Sequence, residues 1–138
     1  MITTLIDLNI ILDVLLKRLP FYENSLAVWN LCLSKKIKGA LAAHSIPTLW
    51  YILRKEYTDA QRRELLSALF DYFEISSLNK EKIESALNRS DFKDFEDCLQ
   101  DECAVDVEAE CIVTRNKQDF EKSKTKVYTP EEFIERFN

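Results

Sequence analysis

A three-layer α/β sandwich around a mostly parallel sheet is the fold that this sequence predicts, and three observations carry it. Short apolar runs such as Ile2–Ile6 and Cys111–Thr114 read as buried strands. They alternate with segments whose apolar residues recur at helical spacing, the pattern of a parallel sheet covered by helices on both faces. The chain of 138 residues is long enough for one real core, and no repeat, linker or low-complexity stretch divides it. Residues 1–138 are therefore read as a single domain.

Ile2–Ile6 is the first strand, closed by Asp7. From Asn9 the spacing changes: Ile10, Ile11, Val14 and Leu15 mark a helical face that continues to Leu19, where Pro20 ends it. A second helix is expected over about residues 24–37, with Leu26, Trp29, Leu33 and Ile37 inward. Gly39 is read as the turn into a small-residue strand, Ala40–Ala43. Ser45 is placed to cap a third helix, with Pro47 in its first turn and Leu49, Ile52 and Leu53 buried.

Asp59–Tyr72 gives a fourth helix, with Arg62 and Arg63 toward solvent. Phe73–Ser76 is a strand and Lys80–Leu87 another helix. A further helix opens in the acidic stretch and runs over about Phe95–Val105. Cys111–Thr114 and Val127–Tyr128 are the last strands. Thr129-Pro130-Glu131-Glu132 reads as a capping box with proline at the first helical position, launching a terminal helix.

Composition narrows the chemistry. Net charge is −5 and the isoelectric point about 5.0, so no global positive field attracts a polyanion. The single glycine, Gly39, rules out glycine-rich phosphate loops. The single histidine, His44, and the lack of any CxxC or HxxxH argue against zinc. Cys32, Cys98, Cys103 and Cys111 sit irregularly among apolar neighbours and read as buried free thiols of a reducing compartment. The opening MITTLIDLNIILDVLL has no early basic residue and carries Asp7 and Asp13, unlike a secretory leader, and no apolar run spans a bilayer. The expected location is cytoplasmic.

The segment FKDFEDCLQDE raises the functional question, because it gathers Asp94, Glu96, Asp97, Asp101 and Glu102 despite their mutual repulsion. In an open parallel sheet, ligands bind at the carboxyl ends of the strands. Asp7 follows the first strand, Asn116 and Asp119 follow the strand ending at Thr114, and Asp94 and Asp97 begin the helix before it. Three segments thus deliver oxygen ligands to one edge, as Mg²⁺ or Mn²⁺ requires. The plainer reading makes Asp7 and Asp94 helix caps, with Glu96 and Asp97 favoured by the helix dipole and Asp101 and Glu102 solvated.

These residues carry a resemblance. IDLNIILDVLLKR, HSIPTLWYILRK, DFKDFEDCLQ and IVTRNKQDF resemble, in order, the four conserved segments of the PIN-domain family, and TPEEF is similar to the start of its closing helix. That family includes the toxin half of VapBC-type toxin–antitoxin pairs. The resemblance implies an Mg²⁺- or Mn²⁺-dependent endoribonuclease acting on RNA phosphodiesters with water as nucleophile. Asp7 would be the first metal-site acid, supported by Asn9, and Asp97 the central acid, with Asp94 and Glu96 close by. Thr114, Asn116 and Asp119 would form the last segment of the site. An antitoxin protein and a second copy of the chain are the partners it implies.

Three positions depart from the family pattern. Leu8 replaces a usual Thr or Ser, Thr48 stands where many relatives carry the second acid, and Asn116 where many carry the fourth. A neutral oxygen still ligates a hard cation but adds no charge and cannot act as a base. A second reading is therefore a PIN-fold protein that binds RNA or a partner without efficient cleavage. A phosphoacceptor receiver domain is a third, and it lacks the adjacent N-terminal acids that such a domain needs. Arg115, Lys117, Lys122, Lys124 and Lys126 form the main basic cluster and are expected to contact RNA. His44 reads as a polar edge residue, and Trp50 and Tyr51 as packing or dimer contacts.

Overall fold

The computed structural model describes residues 1–137. Five strands form one sheet: β1 (Thr3–Ile6), β2 (Lys38–Ala42), β3 (Glu74–Ser76), β4 (Cys111–Val113) and β5 (Lys126–Tyr128). Their order across the sheet is β3-β2-β1-β4-β5 and every pairing is parallel, with Leu5 opposite Ala40 on one side and Ile112 on the other. Connections from β1 run outward through β2 to β3, and the chain then returns to β4 on β1's other side. The strand order therefore reverses between β1 and β4, the place where an open α/β sheet leaves a crevice at its carboxyl edge.

Side-chain alternation makes the three layers. Ile6, Leu41, Cys111 and Val113 pack on one face beneath α1 (Leu8–Leu15), α2 (Tyr22–Leu33), α3 (Ser45–Ile52), α4 (Asp59–Tyr72) and α7 (Pro130–Phe137). Leu5, Ala40, Ala42 and Ile112 point the other way, toward Cys103 and Ala104 of α6 (Phe95–Asp106) and toward Phe120. The alanines of β2 let α6 come close. Helix α5 (Lys80–Leu87) buries Ala86 against Cys98 and Leu99 of α6. Short 3-10 turns cover Leu53–Lys55 and Lys117–Phe120. All four cysteines are buried and free, as expected, and no helix among the described residues is long and apolar enough to cross a membrane.

Two helix ends differ from those expected, for one cause. Helices α1 and α2 end four residues earlier than expected, at Leu15 and Leu33. Each stops in a Schellman motif. Lys17 and Lys35 take left-handed φ of 51° and 64°, and the amides of Arg18 and Lys36 reach back to the carbonyls of Asp13 and Leu31. Glu108, with φ 54°, ends α6 the same way. Glycine normally marks such ends, so a chain with one glycine hides them. That glycine is not a turn but a residue of β2, where a Cβ would come within 2.7 Å of Cys32 Sγ and 2.9 Å of Phe73 Cδ1. The fully buried residues of α2 are Ser25, Val28, Leu31 and Cys32; Trp29 and Leu33 are half-buried against the same core and Ile37 is buried beyond the helix, as expected, while Leu26 lies outside it. Arg62 does not face solvent freely: it lies 3.9 Å from the centre of the Trp50 ring and donates to the Trp50 carbonyl at 2.7 Å.

Candidate active site

Asp7 is the first residue beyond β1, and its amide continues the ladder by donating to the Val113 carbonyl at 3.0 Å. Its backbone occupies the cap position of α1, but its carboxylate caps nothing. Instead Oδ2 accepts from Thr114 Oγ1 at 2.6 Å and Oδ1 accepts from Gln100 Nε2 at 3.4 Å. The reversal between β1 and β4 thus brings residues 107 apart in sequence into one hydrogen bond. Thr114 also accepts from the Asn116 amide at 3.1 Å, which sets the path of the loop after β4.

Across the crevice, α6 starts with Asp94 as its cap, the Asp94 carboxylate accepting from the Asp97 amide at 3.1 Å. The capping reading of Asp94 is therefore correct. It also fixes Asp97 in the first turn. Burial first, and then the negative charges of Asp7, Asp94, Asp119 and Glu96, together push the Asp97 carboxyl up to about 7. Asp7 is 7 % exposed, and burial likewise raises its carboxyl above the ordinary range, against the hydrogen bonds from Thr114 and the Leu8 amide and the charge of Arg115, and with a small contribution from Asp119. Asp7, Asp97 and Asp119 therefore act on one another from three segments.

None of Asp7, Asp94, Glu96, Asp97 and Asp119 forms an ion pair among the described residues. Nor do any three His, Cys, Asp or Glu side chains among them close into a ligand cluster. Two buried amide oxygens nearby, Asn9 Oδ1 and Gln100 Oε1, lack a hydrogen-bond partner among the described residues. This donor set is all oxygen and rich in charge. It fits a hard divalent cation that keeps several of its own waters and takes only one or two carboxylates directly.

The other singled-out residues divide. Thr48 is half-buried on α3 and its hydroxyl donates back to the His44 carbonyl at 3.1 Å, so no charge is added there. His44 is half-buried, and burial lowers its pKa from the ordinary value although Glu96 opposes this. Ser45 does not cap α3: it is the helix's first residue, and its hydroxyl accepts from Gln100 Nε2 at 3.2 Å.

The basic segment is less free than the sequence suggests. Arg115 is committed elsewhere: its Nε and Nη2 donate to the fully buried Asp13 at 2.6 and 3.1 Å, and it stacks 3.9 Å from the Phe21 ring centre. It therefore holds α1 to the loop after β4. Lys117 pairs with the exposed Glu132 at 3.1 Å. Lys122, Lys124 and Lys126 are exposed. Asp101 and Glu102 are not solvated either. Asp101 is fully buried and accepts from Arg89 Nη2 at 2.7 Å, from the Lys124 amide at 3.1 Å and from Ser123 Oγ, while Glu102 accepts from Arg89 Nη1 at 2.7 Å. A hollow of about 580 Å³ lined by Lys117, Phe120, Ser123 and Val127 borders this loop, but none of the acids of the crevice lines it.

Sequence reasoning missed Gln100, although it lies three residues after Asp97 and so on the same helical face. It also missed the Asp13–Arg115 pair, whose signal was a charge inside the apolar run of α1.

Comparison with known proteins is consistent with this geometry. A sequence model of the PIN domain matches residues 3–118. Ribonuclease VapC1 of Aquifex aeolicus is 28 % identical over 140 aligned positions, covering 96 % of this chain and 94 % of that protein. Among solved structures, a toxin–antitoxin complex from Klebsiella pneumoniae superposes with a TM-score of 0.70 at 21 % identity, covering 92 % of this chain and 97 % of that one. VapBC2 from Rickettsia felis, bound to a DNA fragment from its promoter, superposes with a TM-score of 0.66 at 18 % identity, covering 92 % and 98 %.

Proposed function

This chain belongs to the PIN-domain family, and on that premise we propose that it is a metal-dependent endoribonuclease, the toxin of a toxin–antitoxin pair. The observation that carries the reading is a group of acids, Asp7, Asp94, Glu96, Asp97 and Asp119, none of which forms an ion pair among the described residues; their mutual charge helps to raise Asp97 to about 7. A chain that needed these acids only for folding would give them arginine partners, as it does for Asp13 and Asp101. The similarity to a ribonuclease VapC1 along nearly the whole chain supports the same chemistry. The solved toxin–antitoxin complexes of this fold make an antitoxin the expected protein partner.

Asp7, Asp97 and the Asn116 amide oxygen would hold Mg²⁺ or Mn²⁺, with Asp119 as the third carboxylate of the pocket. When bound, such an ion offsets charge on the phosphodiester and makes a coordinated water more acidic. Thr114 keeps Asp7 oriented by donating to Oδ2, so that Oδ1 faces the crevice side shared with Gln100. Asn9, Asp94, Glu96 and Thr48 support the pocket, Asp94 through the cap that fixes Asp97. Lys122, Lys124 and Lys126 are the cations left to meet RNA phosphates.

Binding without efficient cleavage is the second reading, and the neutral Thr48 hydroxyl, turned back onto its own helix, favours it. Incubation of a mixed RNA pool with Mn²⁺ separates the two. Cleavage by the parent protein and its loss in Asp97→Asn are expected. Parental cleavage by Asp97→Asn would place the activity elsewhere.

A further inference from the structure

We propose that Gln100 is a positioning residue of the acidic pocket, its amide N–H tethering Asp7 to the start of α3 and its carbonyl oxygen kept free for an entering O–H donor. The inference rests on the hydrolytic reading of that pocket. Gln100 is 4 % exposed. Its Nε2 donates to Asp7 Oδ1 at 3.4 Å and to Ser45 Oγ at 3.2 Å, joining α6, the end of β1 and the first turn of α3. The amide orientation follows from chemistry. A carboxylate accepts only, so the nitrogen must face Asp7 and the oxygen must face away.

That oxygen, Oε1, is buried and lacks a partner among the described residues. A buried carbonyl left unmatched destabilises the folded state, and methionine of similar length would avoid that cost only by giving up both Nε2 hydrogen bonds. The tether accounts for the amide nitrogen and leaves the oxygen without a structural role. The penalty disappears once the pocket's occupant brings an O–H to Oε1. Two sources carry that group: the waters of a hydrated divalent cation and the ribose hydroxyls of RNA. Asn9 Oδ1, the second orphaned oxygen near Asp7, extends the same acceptor surface.

Gln100→Met tests the idea in the full chain through four readings: thermal unfolding without metal, calorimetric titration with Mn²⁺ alone, and anisotropy titrations with a mixed-sequence RNA oligonucleotide and its DNA counterpart in Ca²⁺. The metal-free variant should melt below the parental temperature, because it loses the Nε2 hydrogen bonds to Asp7 and Ser45. Loss of about tenfold in Mn²⁺ affinity, the scale on which groups behind metal ligands act, assigns Gln100 to the cation's site, through the Asp7 tether or the O–H of a metal-bound water. Parental Mn²⁺ affinity with a lost preference for RNA over DNA assigns it to a ribose hydroxyl. Parental values in all three titrations overturn the proposal, as does a variant that melts lower without binding changes. If Asp97→Asn keeps parental Mn²⁺ affinity, the hydrolytic reading fails first and takes this proposal with it.

Discussion

Asp13 and Asp97 are both acids brought into the folded protein, and their surroundings are opposite in kind. Asp13 is fully buried but meets Arg115 at 2.6 Å, Arg18 at 3.1 Å and the Ser25 hydroxyl at 2.9 Å. Asp101 repeats the arrangement with Arg89 and the Ser123–Lys124 turn. These two acids fasten the segment between β4 and β5 at its beginning and its end. Asp97 is more accessible, yet the charges of Asp7, Asp94, Asp119 and Glu96 act on it and it forms no ion pair among the described residues. The contrast separates two uses of a carboxylate: matched by the fold's own cations, it builds; left unmatched beside others, it waits for a cation from outside.

The comparison breaks most visibly on the matched side. Removing one partner of a buried pair leaves an uncompensated charge, a cost of about 3–5 kcal/mol. Arg89→Met should therefore lower the unfolding free energy by roughly that amount in a urea titration at pH 7. Arg115→Met should cost less, about 2 kcal/mol, because Arg18 remains on Asp13. A decrease below about 1 kcal/mol for Arg89→Met would mean that Asp101 is satisfied by Ser123 and Lys124 alone.

On the unmatched side the sign reverses. Asp97 keeps its proton to about 7 when folded and loses it near the ordinary 3.8 when unfolded. Between those values the folded state binds more protons, so the stability of the metal-free protein falls as pH rises from about 4 to about 7. Below that window the penalty is absent, and above it the penalty is complete. Asp97→Asn should abolish the Asp97 share of this slope and stabilise the metal-free protein at pH 7.5. The gain should be on the order of 1 kcal/mol, since solvent screens this half-exposed group. Melting temperatures at pH 5 and 7.5 decide it, and equal slopes for parent and variant would contradict the proximity of the acids. Mn²⁺ should also release a proton on binding below pH 7, measurable as a buffer-dependent heat.

The sheet, the helix order and all four buried thiols are legible in the sequence because period and alternation are written locally. So are Asp7, Asp94, Asp97 and Asp119 as acids of one strand edge. The ends of α1 and α2 are not, because Lys17 and Lys35 take a conformation that the sequence signals only through glycine, whereas α4 and α5 end where expected, at Tyr72 and Leu87. Gly39 misleads for the converse reason: its role is set by Cys32 and Phe73, which lie on other elements. Asp101 and Arg115 mislead because a charge on paper does not name its partner. Arg89 and Asp101 are 12 residues apart and Asp13 and Arg115 are 102 apart.

The loop that the two matched acids hold should tolerate change best. Lys124 is anchored to Asp101 through its main-chain amide and Lys122 accepts from Arg89 through its carbonyl, so both ammonium groups can change without loosening either anchor. Lys126 lies 5.5 Å from the Tyr128 ring centre on the exposed edge of β5. Reversing all three to Glu should leave stability within about 0.5 kcal/mol, as for surface positions generally. RNA affinity should nevertheless fall, and its dependence on salt should flatten, by about 0.7 in logarithmic slope for each single-strand phosphate that is no longer neutralised. Lys124→Gln alone should show about one such step. Anisotropy titrations of a mixed-sequence RNA between about 50 and 200 mM salt measure both quantities. A triple variant that binds RNA with the parental slope would assign these lysines to solvation, and the loop's double fastening would then serve only to hold Asn116 and Asp119 beside Asp7.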